Sequence, residues 1–537
     1  MKSKCLKFLQ KHWFSISIVL IFILKLYLVN IQPIQIKNYN HDDGFFLRSA
    51  QNILDGKWLG PYNDVILSKG VFGILFIALM HFLKIPFLMG EQIFLFLAIL
   101  SLIIMLKNII SNKLILLMIY IILLFNPFTY SDTFSFVYRD GIYPSLIIMF
   151  VAFSFLIFFK RKLEIKKLII PCILFGLTYA AIYLTREETF WLTPYLICAF
   201  IITALFIFKD KKIKDKVPKL TVITLIPLVC SLIPILTVCT INYHYYGRFI
   251  TNDLTSSDFE NAYGALTRVL PQNHVNRYPL VKKSREELYG LSSKFKELEN
   301  FLENNTKYLD NGDYLEGKLC WAIREGVYIL GYYENANMAK QYYEDLATEI
   351  NELCDTKTIE CLDSHSSLIA PIKKDAILEL KKYIPAAFIV QATYDKMEVK
   401  IPVIKPLDNN FLQMTYNQYT YTSKQLHSWR LAIMEYILLL FQKVNPYFLI
   451  ISIICYIILM IMSFFNHFRY YNEIILINAL LMLYLIRVIS IGFIAATQYS
   501  SAIGKAQYLG PSYLIQSLFS ILVILTLIKN FKEYRKY

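Results

Sequence analysis

HDDGFFLRSAQNILDGKWLGPYNDVILSKG, His41 to Gly70, decides how the chain reads. A hydrophobic run precedes it and another apolar segment follows. Two adjacent carboxylates, Asp42 and Asp43, stand where the chain leaves the first run. Phe46, Ala50, Ile53 and Leu54 then recur at helical spacing, and Gly56 suits the end of that helix. Lys69 stands at the mouth of the next apolar segment. Ionisable groups held against a bilayer by apolar neighbours are costly to place, so they point to function. The plain alternative is that an Asp before a helix caps free backbone N–H groups. The rest of the chain weighs between the two.

The chain has 537 residues and is 56% hydrophobic, and its runs of Ile, Leu and Phe call for a bilayer. The net charge of +15 suggests nucleic acid at first sight, but the lysines fall in short runs between apolar segments. That is the positive-inside signature of a multi-pass membrane protein, and no nucleic-acid partner is expected. The start, MKSKCLKFLQKHW followed by FSISIVLIFILKLYLV, looks like a signal peptide but lacks a small-residue cleavage site, so it reads as a retained span. Nine cysteines are scattered without CxxC spacing or a His/Cys cluster, so no zinc site is expected. Cys354 and Cys361 read either as a disulfide, if their domain lies outside the cell, or as two core thiols.

Hydropathy and the lysine runs give ten spans with both termini cytoplasmic, near 14–30, 90–106, 113–128, 144–159, 167–185, 190–208, 220–241, 447–465, 474–495 and 511–528. The stretch KDKKIKDKVPK, with six lysines, is the strongest inside marker. Val71 to Ile85 is about 15 residues long, below the usual spanning length of about 20, and suits an interfacial or re-entrant helix. Leu431 to Phe441 reads the same way. The fold class expected is an all-α polytopic membrane protein. Residues 1–241 form a transmembrane module with an outer loop at 31–70. Residues 242–428 form a mainly helical extracytoplasmic domain with a β-prone piece, KMEVKIPVI, and 429–537 form C-terminal membrane helices.

This topology puts four polar clusters on one face of the membrane: Asp42 with Asp43, Lys69, Arg139 with Asp140, and Arg186 with Glu187 and Glu188. Each has a plain reading alone: a cap, a solvated Asp-Gly turn, or a salt-bridged hairpin with Trp191 as interfacial anchor. Their convergence favours a shared site at the outer interface. Lys505, Gln507 and Tyr508 form a weaker patch on the same side. Arg487 lies inside an apolar span and needs a partner or a snorkelling path.

The order of these elements resembles the GT-C glycosyltransferases, in particular the relatives of aminoarabinose transferases and protein O-mannosyltransferases. An acidic pair after the first span matches Asp42-Asp43. The amphipathic helix to Gly56 and Lys57-Trp58-Leu59-Gly60-Pro61 follow, then a lysine before an interfacial helix, Lys69. Asp140 matches a further acidic residue on the next outer loop, and Thr185-Arg186-Glu187 matches a basic motif after the fifth span. The likeness covers about residues 10 to 240 and departs at Gly70, where close relatives often carry proline, and at Asp43, where many carry glutamate.

The resemblance implies inverting transfer of a sugar from a polyprenyl-phosphate donor to a glycan, lipid or protein acceptor on the outer face of the cell membrane. Asp42 is then the expected general base, with Asp43 and Asp140 orienting the acceptor or supporting the base. Lys69, Arg139 and Arg186 are the phosphate-binding candidates, because cations meeting the leaving phosphate lower the barrier. Glu187, Glu188, Lys505 and Tyr508 support them. No cofactor is called for, although three clustered carboxylates offer oxygen ligands to a divalent ion. Two other classes stand beside this one. A transporter or flippase of lipid-linked precursors would bring internal repeats and midplane charges, which the sequence does not display. An inactive relative would act as a scaffold through residues 242–428.

Overall fold

A computed structural model describes residues 2–32, 34, 42–211, 213, 215–270, 278–315, 317–363, 374–399, 409–416, 429–465, 470–497, 499–504 and 506–534. The first half runs through α1 (Lys2–Val29), α2 (Asp42–Leu54), α3 (Phe72–Phe82), α4 (Phe87–Leu106), α5 (Lys113–Leu124), α6 (Ile142–Lys160), α7 (Lys166–Tyr183), α8 (Thr193–Lys209) and α9 (Lys216–Tyr246). A polar stretch then holds α10 (Ser257–Thr267), α11 (Lys282–Leu291), α12 (Ser293–Lys296), α13 (Glu299–Asn304), α14 (Lys318–Ile329) and α15 (Ala336–Asp355). The chain closes with α16 (Lys374–Thr393), α17 (Asn409–Tyr416), α18 (Trp429–Phe465), α19 (Tyr471–Thr497) and α20 (Ala506–Tyr534). The described strands are one short antiparallel pair at Leu309–Asp310 and Asp313–Tyr314.

Among the described residues, nine helices are long and apolar enough to cross a membrane, and the chain is a multi-pass membrane protein. They lie in α1, α4, α6, α7, α8 with its preceding turn, α9, α18, α19 and α20. The tenth expected span, 113–128, is the difference. Helix α5 stops at Leu124, because Asn126 caps a new 3₁₀ turn at Pro127–Tyr130 by accepting from Phe128 N. Its 12 residues rise only about 18 Å. Helix α3, at 11 residues, also falls short of a crossing, in line with the interfacial reading of 71–85. Leu431 to Phe441 is not a separate helix. It continues through Pro446 into the 37-residue α18, about 55 Å long.

Two large apolar cores divide the chain, beside a small cluster of Ile157, Leu168 and Cys172. One runs through the membrane helices from Phe14 to Leu527 and includes Ala387, Tyr394, Met397, Val399 and Met414. Helix α16 belongs there, packed on α18, α19 and α20. The other runs from Phe259 to Ile359 and is built by α10–α15, whose amphipathic faces meet around Tyr263, Leu298, Ile323 and Leu346. Residues 242–428 are thus shared between the two. Cys354 and Cys361 form a disulfide at the end of the second core. In KMEVKIPVI, residues 396–399 carry no strand, and the remainder lies outside the described residues.

Candidate functional site

The stretch that opens the sequence packs where the two cores meet. Asp42 and Asp43 occupy the first turn of α2, where negative charge suits the helix dipole. Phe45, Phe46, Leu47 and Ala50 anchor the helix in the membrane core, and Asp43 is fully buried with them. The helix ends before Gly56, whose φ of +74° turns the chain away. The following loop is tied down residue by residue. Trp58 Nε1 donates to Asn242 Oδ1 at 2.8 Å, and Tyr245 and Tyr246 donate to the carbonyls of Gly56 and Gly60. Trp58 and Leu67 adopt positive φ within this loop.

At the loop's end the backbone meets the turn after α7. Gly70 N donates to Glu187 Oε1 at 2.9 Å, and Phe72 N to the Leu184 carbonyl at 2.9 Å. A Cβ at residue 70 would stand 2.7 Å from the Thr185 carbonyl, so only glycine allows this approach.

Here the separate charge clusters become one network. Lys69 Nζ lies 3.7 Å from Asp42 Oδ1 and 4.9 Å from the centre of the Trp321 ring. Arg139 Nη1 donates to Glu187 Oε1 at 2.6 Å and to the Thr185 carbonyl at 2.7 Å. Arg186 pairs with Asp140 through Nη2, and with Glu188 at 2.9 Å through Nη1. Arg487 reaches in from α19, 3.7 Å from Glu188, and donates from Nε to the Tyr508 carbonyl at 2.8 Å. The rings of Tyr143 and Tyr508 flank Arg186, and those of Tyr143 and Trp191 flank Arg487.

Four cations, Lys69, Arg139, Arg186 and Arg487, thus face four carboxylates, Asp42, Asp140, Glu187 and Glu188. Their exposure sorts them. The Arg186 side chain is 3% exposed and that of Asp140 is fully enclosed, whereas Lys69 is 16% and Asp42 49% exposed. Asp42 is the most exposed member, Glu188 follows at 28%, and Lys69 is the most exposed of the cations. Burial pushes the Glu188 carboxyl up, but Arg186, Arg487 and Arg139 outweigh it and hold it at about 2. Burial likewise opposes ionisation of Glu187, and Arg139 and then Lys69 carry it below the ordinary carboxylate range. Arg139 is raised despite its burial, because Glu187 faces it.

Of the residues singled out from the sequence, Asp42, Lys69, Arg139, Asp140, Arg186, Glu187, Glu188 and Tyr508 come together here, and Lys505 lies outside the described residues. Asp42 goes to Lys69 and Asp140 to Arg186. Among the described residues no group of three His, Cys, Asp or Glu side chains is placed to hold a metal. Arg487, Trp191 and Tyr143 are members that the sequence did not assign. Arg487 left a signal there as a charge inside an apolar span, Trp191 was read only as an interfacial anchor, and Tyr143 left none.

Below the network, a cavity of about 200 Å³ opens between α6, α8 and α19, lined by Phe155, Phe158, Cys198, Ile202, Asn478 and Met482. Met482 precedes Arg487 by five residues, about 8 Å along α19.

In sequence, no family model and no curated protein matches the chain. In structure, the chain is similar to ArnT. Alignment with ArnT from Cupriavidus metallidurans in the apo state covers 95% of this chain and 78% of that one, at 9% identity and a TM-score of 0.32. With the same protein bound to undecaprenyl phosphate the figures are 95%, 77%, 10% and 0.31. The archaeal oligosaccharyltransferase AglB from Archaeoglobus fulgidus, in complex with an inhibitory peptide and a dolichol-phosphate, aligns over 76% of this chain and 64% of its own, at 10% identity and a TM-score of 0.30. Overlap this loose carries nothing about the site, whose chemistry rests on its own geometry.

A second buried knot clamps the polar core to the opening loop. Arg324 on α14 pairs with Asp253 at 3.1 Å and donates from Nε to the Asp64 carbonyl at 2.8 Å. Tyr62 donates to Asp253 Oδ2 at 2.9 Å. Burial raises the Asp253 carboxyl although Arg324 and Tyr62 oppose the shift. The knot fixes Trp321, three residues before Arg324, over Lys69.

Proposed function

We propose that this chain transfers a sugar from a polyprenyl-phosphate donor to an acceptor at the outer face of the membrane, with inversion, and that Asp42 is the general base. One observation carries the reading: a half-exposed carboxylate, Asp42, stands 3.7 Å from a lysine, at the edge of a buried arginine network between membrane helices.

The chemistry follows from those positions. Asp42 accepts the proton of the acceptor hydroxyl as its oxygen attacks the anomeric carbon. The bond from that carbon to the phosphate oxygen breaks, and its electron pair stays on the lipid phosphate. A single displacement inverts the centre and needs one base. The leaving phosphate gains negative charge, which Lys69 is placed to meet. Arg139 and Arg186 are committed to Glu187, Asp140 and Glu188, so their part is to keep the rim of the site positive and rigid. Asp43 and Asp140 support the base from buried positions. The apolar cavity between α6, α8 and α19 suits a hydrocarbon tail whose phosphate sits near Arg487 and Lys69. On this reading the termini are cytoplasmic and the α10–α15 core lies outside.

The test is transfer of a radiolabelled sugar from a polyprenyl-phosphate donor by the purified full chain. Asp42→Asn is expected to lower the rate by about 10²–10⁴ while donor binding persists, the range a positioned base contributes. Undiminished transfer would discard Asp42 as base. Export of labelled lipid without a new glycosidic bond would replace the transferase reading with a flippase.

A further inference from the structure

Apart from the charged network, the molecule carries a second concavity of a different kind. A groove of about 590 Å³ opens between the loop at Pro61–Tyr62, the end of α9 and the turn from Tyr328 to Ala336. Five tyrosines line it: Tyr62, Tyr245, Tyr246, Tyr328 and Tyr333. Its size falls within the range of small-molecule sites. We propose that this groove binds a glycan. If the transferase reading holds, it is where the sugar acceptor is held.

The rings form a continuous wall. Tyr333 stacks on Tyr62 with centroids 5.2 Å apart, Tyr62 leans on Tyr246 at 5.7 Å, and Tyr246 on Tyr245 at 6.3 Å. Tyr328 meets Tyr333 edge-on at 6.3 Å. Most of their hydroxyls are already engaged. Tyr62 donates to Asp253, Tyr245 and Tyr246 to the carbonyls of Gly56 and Gly60, and Tyr333 shares a hydrogen bond with Tyr343. With the hydroxyls tied back the rings are held in place: Tyr333 is buried against Tyr62, Tyr245 and Tyr328 are about half exposed, and Tyr62 and Tyr246 are partly exposed. An aromatic face is electron-rich and attracts the slightly positive C–H face of a sugar ring.

The sugar's hydroxyls need partners at the edge, and two residues supply them. Glu334 lines the groove, is exposed, and forms no ion pair among the described residues. Asn335 uses its carbonyl oxygen to cap α15, accepting from Asn337 N and Met338 N, which leaves its NH₂ group to donate. Among the described residues no lysine or arginine lines the groove, which argues against a phosphate or nucleic acid. Among the same residues no leucine, isoleucine, valine or phenylalanine lines it, which argues against a lipid chain. An aromatic cage for a quaternary cation surrounds a point with ring faces. Here the rings run in a row from Tyr328 through Tyr333, Tyr62 and Tyr246 to Tyr245, each touching the next.

The groove and the charged network share one rigid element. Trp321 covers Lys69, and Tyr328 follows seven residues later on the same helix, α14. Two turns place them on one face about 10 Å apart along the axis. On this proposal the saccharide runs along α14 from Tyr328 toward Trp321 and Lys69.

The experiment captures the full chain, held in lipid nanodiscs, on an array of neutral oligosaccharides of two to six units with immobilised choline as a comparison. The proposal expects capture of wild type on at least one oligosaccharide and capture about tenfold weaker for Tyr328→Ala. Tyr245→Ala serves as a second variant, since Tyr245 and Tyr328 are both about half exposed and neither supports a core. No oligosaccharide capture, capture on choline instead, or capture unchanged in both tyrosine variants would overturn it. In a transfer assay, Tyr328→Ala raises the acceptor KM about tenfold with kcat unchanged. Capture by a wild type that forms no glycosidic bond sinks the transferase reading and leaves the groove standing.

Discussion

Arg186 and Asp140, 46 residues apart in the chain, form a buried ion pair that joins the turn after α7 to the loop before α6. Each comes from a short connection that reads, alone, as a polar turn. Together they form the floor of the site, with Glu188 and Arg487 continuing the alternation of charge. Removing one member of an enclosed pair strands the other, at a cost of about 3–5 kcal/mol, whereas replacing both by apolar groups costs far less. Asp140→Ala should therefore lower the thermal midpoint of the detergent-solubilised protein more than the double variant Asp140→Leu with Arg186→Met. Additive losses across the double-mutant cycle would show that the two side chains act separately.

The same network gives the fold a pH dependence. Glu188 ionises near 2 in the folded protein and near 4.5 once unfolded, and Glu187 is shifted in the same direction. Above about 4.5 both states are ionised and the arginines contribute their full stabilisation. As the pH falls from about 4.5 towards 2, the unfolded chain takes up the proton first and that stabilisation is lost. Thermal midpoints measured across this window should fall with acid. Glu188→Gln should start lower at neutral pH and show a shallower slope. An equal slope would place the acid sensitivity elsewhere.

How much of this was legible in the sequence follows from what each residue's neighbours are. Asp42, Lys69, Asp140, Arg186 and Glu187 could be read because ionisable groups beside apolar runs are costly, and span parity put them on one side. Helices α3, α4 and α6 were legible from run length alone. Helix α5 was not, because its end depends on Asn126 capping a new turn, a local competition that hydropathy does not register. The continuity of α18 was hidden because the apolar run at 431–441 is too short to cross by itself and the polar residues Gln442, Lys443 and Asn445 interrupt it, whereas the helix carries on through them and Pro446. Arg487 could be flagged but not assigned, since its partner Glu188 lies 299 residues away. The tyrosine groove left no local pattern, because its wall draws on three separate segments.

Gly70 supports a prediction about the backbone itself. Its N–H is held by Glu187, and a side chain there would press on the Thr185 carbonyl. Gly70→Ala should cost about 1–3 kcal/mol, the range for forcing extra atoms into a packed site. Gly70→Pro should cost more, because it also removes the hydrogen bond to Glu187. Thermal unfolding of the two variants decides the matter, and a proline variant as stable as wild type would show that the turn after α7 moves aside freely.

Glu91 lies in the second turn of α4, and among the described residues its buried carboxyl has no hydrogen-bond partner on either oxygen. The carboxyl presses against Gly141, the residue after Asp140, where a Cβ would collide with it. A buried polar group without a partner costs about 1–3 kcal/mol, so nothing in the packing rewards its presence. Glu91→Met keeps the length of the side chain and removes the polar atoms. The variant is expected to unfold at a higher temperature than wild type. If Glu91 instead serves the site through the 139–141 loop, the gain in stability comes with a loss of transfer, and the Asp42→Asn rate is the reference for its size. A variant less stable than wild type would mean that the carboxyl makes a contact essential to the fold.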